Sequence, residues 1–160
     1  MNWVDVPSPL GILRLTGEGE CLTGVHFPEG RCRPNAWGTE GETPVLAEAR
    51  RWLERYFAGE EPGPIPPIRP EGTAFQQAVW EILRSIPYGE TMTYGAIAAA
   101  LQSRGRRASA QAVGQAVGRN PVNILVPCHR VLGAKQAITG YGGGLWRKEF
   151  LLQLENINYK

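Results

Sequence analysis

Five of the ten residues in Glu61-Pro62-Gly63-Pro64-Ile65-Pro66-Pro67-Ile68-Arg69-Pro70 are proline, and this run constrains the fold more than any other stretch. Proline lacks the backbone donor and fixes φ, so the run excludes helix and disfavours an interior strand. It reads as an extended linker between two lobes, 1–70 and 71–160. A chain of 160 residues has room for such a pair. Charge divides at the same place. Residues 1–70 hold seven arginines against ten acidic residues, a net −3, and residues 71–160 hold ten basic against five acidic residues, a net +5. A basic second half suggests a polyanionic partner for that half.

With 42% hydrophobic and 20% charged residues, the chain can bury a core and is not a disordered sequence. No apolar run approaches the roughly 18 residues that span a bilayer. The first residues lack a basic segment followed by an apolar one, so no secretory signal is expected. Three cysteines do not make a disulfide framework. A soluble cytoplasmic monomer is the expectation.

In the first lobe, Gly11-Ile12-Leu13-Arg14-Leu15 and Leu22-Thr23-Gly24-Val25-His26-Phe27 flank a turn-rich stretch and predict a β-hairpin. Residues 28–43 read as loop. Leu46, Ala49, Leu53, Tyr56 and Phe57 recur at helical spacing and predict one amphipathic helix over 44–58. The second lobe reads as mostly helical. Phe75, Val79, Ile82, Leu83 and Ile86 mark a helix stopped at Pro87. Thr93 is a good N-cap for a short helix through 96–101, and Ser109 for another over 110–117. The apolar run 123–126 predicts a short buried strand, and a last helix is expected over 145–155. The fold class is α/β in the α+β sense: a small antiparallel sheet with one helix, then a helical lobe with a helix-turn-helix.

Two features of the second lobe bear on chemistry. The helix over 110–117 is almost entirely Ala, Gly, Val and Gln, so its backbone can approach a groove closely. Arg104, Arg106, Arg107 and Arg119 flank it, where phosphate contacts belong. A small-residue helix buried against another helix would look the same. In Pro127-Cys128-His129-Arg130, a thiol lies beside an imidazole, and Glu155 could polarise that imidazole in a Cys-His-acid relay. Neighbours on a strand face opposite ways, so contact between Cys128 and His129 requires a turn or a water. A buried inert cysteine is the plain alternative.

Pro127-Cys128-His129-Arg130-Val131 resembles the active-site signature of the O6-alkylguanine-DNA alkyltransferases. The resemblance continues through Phe75-Gln76-Gln77-Ala78-Val79-Trp80, Ile86-Pro87-Tyr88-Gly89-Glu90-Thr91, Thr93-Tyr94, Ala112-Val113-Gly114, Asn120-Pro121 and Tyr141-Gly142-Gly143-Gly144. It covers residues 73–155; the first lobe matches only in layout and length. The resemblance implies single-turnover repair of O6-alkylguanine in double-stranded DNA, possible extension to O4-alkylthymine, and no cofactor. Cys128 would accept the alkyl group, and His129 and Glu155 would deprotonate it through a water. Tyr94 would protonate the departing guanine, and Asn120 would tie the helix-turn-helix to the active-site strand. Tyr141, Gly142, Gly143 and Val131 would line the base pocket. Ser109, Gln111, Ala112 and Gly114, with Arg106, Arg107 and Arg119, would contact DNA, the helix entering the minor groove. The chemistry is coherent, because the O6 atom lies within the base stack and the nucleotide must be extruded.

The sequence departs from the family at Gln111, where an intercalating arginine is expected. Glutamine keeps the length but loses the guanidinium plane and its charge. Cys21, His26 and Cys32 are three zinc-type ligands, but a closed structural site needs four, so no metal is expected. A Cys21–Cys32 disulfide is disfavoured in a reducing compartment. Two rival classes stay open: a damage sensor that binds alkylguanine without transfer, which would lack an acceptor cysteine, and a Cys-His hydrolase, which would turn over an ester.

Overall fold

The computed structural model describes residues 1–30, 33–141 and 143–160, which form two compact units. The first comprises Met1–Glu71 and Pro121–Leu125, the second Gly72–Asn120 and Val126–Lys160. A simple cut at residue 70 therefore misses one excursion, in which five residues after the second unit's helix-turn-helix return to the first unit.

The first unit is a four-stranded sheet with one helix. Strands β1 (Asn2–Ser8), β2 (Gly11–Glu18) and β3 (Cys21–His26) form an antiparallel meander, and β4 (Thr39–Glu40) adds in parallel to β1, giving the order β3-β2-β1-β4. Pro7 lies beyond the Asn2–Trp3 stretch that β4 covers, so its missing donor faces no partner strand there. Helix α1 (Pro44–Phe57) starts on Pro44, whose φ suits a first turn, and buries Leu46, Ala49, Trp52, Leu53 and Tyr56. Leu13, Leu15, Leu22 and Val25 of the sheet are fully buried. Each such side chain stabilises the unit by about 2 kcal/mol relative to exposure.

The proline run is extended, as its composition dictates, and it is also pinned. Leu22 donates to the Pro67 carbonyl at 2.8 Å and Arg69 donates to the Leu22 carbonyl at 2.8 Å. Further along β3, Val25 donates to the Pro121 carbonyl at 2.9 Å, and the Asn123 side-chain amide donates to the Val25 carbonyl at 2.8 Å. Both segments satisfy backbone groups that an open sheet edge would leave bare. A bulge between β2 and β3 lies at Thr16/Gly17. It places Gly24 where a β-carbon would collide with the His26 ring and the Thr16 hydroxyl.

The second unit packs α2 (Ala74–Arg84), α3 (Tyr94–Ser103) and α4 (Ala110–Gly118) against one another, followed by α5 (Leu145–Leu154). The predicted caps form. Thr73 and Gln76 make a reciprocal capping box on α2, Thr93 accepts from the Ala96 amide at 3.0 Å, and Ser109 accepts from the Ala112 amide at 3.1 Å. The indole of Trp80 in α2 donates to the Ala116 carbonyl of α4 at 2.8 Å, fixing the second helix of the helix-turn-helix. Strands β5 (Met92–Thr93) and β6 (Val131–Leu132) pair in parallel, Met92 opposite Val131. This short ladder ties the start of α3 to the segment just after Cys128.

The strand expected over 123–126 does not form. Ile124 takes φ +72°, and Leu125 donates back to the Asn123 carbonyl at 2.8 Å. Pro127 then has φ −81° and ψ 65°, and Cys128 donates to the Val126 carbonyl at 2.8 Å, an inverse γ-turn. The apolar run is buried, as predicted, but it is a double reversal. No helix among the described residues is long and apolar enough to cross a membrane.

Candidate active site

The γ-turn at Pro127 delivers the chain into a single 3₁₀ turn, Cys128–Arg130, so Cys128 and His129 share a tight turn instead of opposite faces of a strand. All three residues are buried. Asn120, at the end of α4, donates its side-chain amide to the Val126 carbonyl at 2.9 Å. That carbonyl already receives the Cys128 amide, so Asn120 braces the turn holding the thiol.

Glu155 follows α5 and is fully buried beneath the turn. Its Oε2 lies 2.6 Å from His129 Nε2, and its Oε1 accepts from Arg130 Nε at 2.8 Å and from the Gly89 amide at 2.9 Å. Arg130 Nη1 donates to the Ile86 carbonyl at 2.8 Å. Burial opposes ionisation of Glu155. The hydrogen bonds and charges of His129 and Arg130 outweigh it and hold the carboxyl at about 2. Burial moves His129 below its ordinary value, against the pull of Glu155, and the charges of Arg130 and Lys148 add to the lowering. A carboxylate facing Nε2 fixes the proton there, leaving Nδ1 as the basic nitrogen of a neutral ring.

Burial also pushes the Cys128 thiol up. The side chains of Asn120 and Tyr141 and the positive charge of Lys148 work the other way. The resting group is a thiol. Lys148 is fully buried and donates Nζ to the Val131 carbonyl at 2.7 Å; burial lowers it to about 8. Tyr94 sits at the start of α3, its hydroxyl 2.9 Å from Thr139 Oγ1. Burial raises its hydroxyl, the Thr139 hydrogen bond lowers it, and the charge of Cys128 raises it further, so Tyr94 stays protonated. A β-carbon on Gly114 would stand 3.7 Å from the Tyr94 ring, so α4 lies close against that ring.

The fold thus puts His129 on the turn of Cys128 with Glu155 against its ring, and brings Asn120, Tyr94 and Tyr141 within electrostatic reach of the buried thiol. Val131 is buried in β6 and takes part through its carbonyl. Gly143 is buried two residues beyond Tyr141, and Gly142 lies outside the described residues. The residues that the sequence assigns to DNA contact lie elsewhere on the same unit. Arg106, Arg107, Ser109 and Gln111 are exposed before and at the start of α4, Arg119 is exposed at its end, and Ala112 and Gly114 are half-buried along it. In the first unit His26 Nε2 lies 3.2 Å from Thr16 Oγ1 and its ring meets Trp37 edge-on, while Cys32 lies outside the described residues.

Sequence reasoning gave no role to Arg130, Lys148, Arg147 or Thr139. A signal for Lys148 existed: with Leu151, Leu152 and Glu155 it follows the i, i+3, i+4, i+7 spacing of one buried helix face. Thr139 had none, because its partnership with Tyr94 spans 45 residues.

The family described as 6-O-methylguanine DNA methyltransferase, DNA binding domain, matches residues 74–157. A methylated-DNA–protein-cysteine methyltransferase of Haemophilus influenzae is 48% identical over 155 residues, 96% of this chain and 85% of its own length. A protein of the same name from Methanosarcina acetivorans is 48% identical over 158 residues, 97% of this chain and 98% of its own. The crystal structure of Mycobacterium tuberculosis OGT in complex with DNA superposes with a TM-score of 0.84 at 41% identity, covering 98% of this chain and 93% of that one. A match over half the chain, with relatives of this identity along nearly all of it, places the protein: it belongs to the 6-O-methylguanine DNA methyltransferase family.

Proposed function

We propose that this protein is a cytoplasmic DNA-repair alkyltransferase that takes the alkyl group from O6-alkylguanine in duplex DNA onto its own Cys128. The observation that carries the reading is a buried thiol on the same 3₁₀ turn as a neutral histidine whose far nitrogen is held 2.6 Å from an ionised glutamate. His129 Nδ1, through one water, accepts the thiol proton, and Glu155 stabilises the imidazolium that forms. The thiolate attacks the alkyl carbon, the bond from that carbon to O6 breaks, and Tyr94 supplies the proton that lets guanine leave neutral. Overall an S–H and a C–O bond are exchanged for an S–C bond and an N–H on guanine. The thioether has no facile hydrolysis, so Cys128 is consumed and no cofactor takes part.

Helix α4 supplies the approach to DNA. Its small residues bring backbone close to a minor groove, and Arg106, Arg107 and Arg119 at its two ends suit phosphates on either side. Gln111 fills the gap left by the extruded nucleotide, and Tyr141 and Gly143 with Val131 border the pocket that receives the base.

The test is intact-protein mass after incubation with duplex DNA carrying O6-methylguanine, beside Cys128→Ser. Wild type should gain one methyl group in place of hydrogen, stoichiometrically, and the variant nothing. Tight lesion binding without a mass change would mean a damage sensor, and turnover of an ester would mean a hydrolase.

A further inference from the structure

The pocket wall at 141–144 has an unusual means of support. Three of its four residues are glycine, so past Tyr141 no side chain of its own can anchor it. Hydrogen bonds to its backbone hold it instead. The Gly144 amide donates to the Tyr141 carbonyl at 2.9 Å, and Gly144 has φ +97°, a conformation suited to glycine. The second hold is a charged one: Arg147, in the first turn of α5, folds back so that Nη1 donates to the Gly143 carbonyl at 2.6 Å. Arg147 is only 4% exposed, and its guanidinium lies 4.6 Å from the centre of the Trp146 ring, itself 53% exposed. A buried guanidinium on a neutral carbonyl is a strong and directional tether. The wall it holds begins at Tyr141, whose side chain favours the ionised form of the Cys128 thiol.

We infer that Arg147 is a specificity-determining positioning residue, fixing the Gly143 backbone and with it the room beside Cys128 for the alkyl group. The inference rests on the alkyltransferase reading above. A tethered wall holds a small alkyl group close to the sulfur in one geometry, where a displacement of an ångström costs rate steeply. An untethered glycine segment yields, and a bulky group then loses less than a methyl group does.

The experiment compares O6-methylguanine and O6-benzylguanine placed in the same duplex, so that changes in DNA affinity cancel in the ratio of transfer rates to Cys128. For Arg147→Met, methyl transfer should fall about tenfold and the benzyl-to-methyl ratio should rise at least about fivefold. Arg147→Lys, which keeps a charged donor, should return the ratio to within about twofold of wild type. Should the methionine variant not fold, Arg147→Gln takes its place, being too short to reach Gly143 yet easily hydrated. An unchanged ratio in the folded variant, whether both rates fall together or neither does, overturns the inference. Failure of wild type to transfer either group would instead overturn the alkyltransferase reading itself.

Discussion

Replacing Glu155 by glutamine should remove a stabilisation whose dependence on pH can be stated in advance. The carboxyl sits at about 2 in the fold, against an ordinary value of 4.5. At about 1.36 kcal/mol for each pH unit of that gap, the ionised group contributes roughly 3 kcal/mol at neutral pH. The figure agrees with the cost of orphaning Arg130, since removing one partner of a buried pair typically costs about 3–5 kcal/mol. Because the folded value is depressed, this stability is fully present above pH 4.5 and is lost as pH falls toward 2. Glu155→Gln should therefore unfold in urea about 3 kcal/mol more easily than wild type at pH 7. Between pH 4.5 and 3 the difference should close by about 2 kcal/mol. Fluorescence of the five tryptophans reports the transition. A difference that stays constant from pH 7 to pH 3 would mean that Glu155 is not held ionised, and the proposed relay behind Cys128 would lose its anchor.

Lys148 should give a slope of the same sign in an alkaline window, its charged form being the one that the fold disfavours: its folded value of about 8 lies below the ordinary 10.5, so wild-type stability should rise as pH goes from 8 to 10.5. Urea titrations of Lys148→Met should lack that rise, and its rate-pH profile for methyl transfer should move to higher pH, because the thiol has lost a neighbouring positive charge. Gln111→Arg should speed repair in duplex DNA by severalfold while leaving reaction with the free base O6-benzylguanine unchanged; an unchanged or slower duplex rate would show that Gln111 is no handicap. Tyr94→Phe should slow transfer about a hundredfold at equal DNA affinity, and single-turnover kinetics at saturating protein separate the two.

Elements that announce themselves by local chemistry were legible in the sequence. Pro44 and the spacing of Leu46, Ala49 and Leu53 marked α1, and Thr93 and Ser109 marked the starts of α3 and α4 at the residues where their side chains cap. Elements made by distant pairing were not. Strand β1 alternates buried Val6 with exposed Asp5 and Pro7, a weak signal in a strand that contains Pro7 and is followed at once by Pro9. Strands β5 and β6 are two residues each and exist only because Met92 meets Val131. The run 123–126 misled because burial and backbone conformation are separate properties. Ile124, Leu125 and Val126 are as buried as any strand interior, yet the flanking Pro121 and Pro127 carried the better clue, that the chain turns there.

The same separation explains which site residues were legible. Cys128, His129 and Glu155 carry chemistry that a reader looks for, whereas Arg130, Arg147 and Lys148 are cations that composition assigns to the surface. Their burial is itself the physical requirement. A thiol kept dry is pushed up by desolvation, and a carboxylate kept dry resists ionising, so both need fixed donors or positive charge in place of water. Two of the buried cations meet these needs, Arg130 holding Glu155 ionised and Lys148 favouring the thiolate of Cys128, while the third, Arg147, satisfies the carbonyl of Gly143. On the proposed function, a site that must exclude water around an extruded base, and that reacts once, replaces solvent with these three side chains.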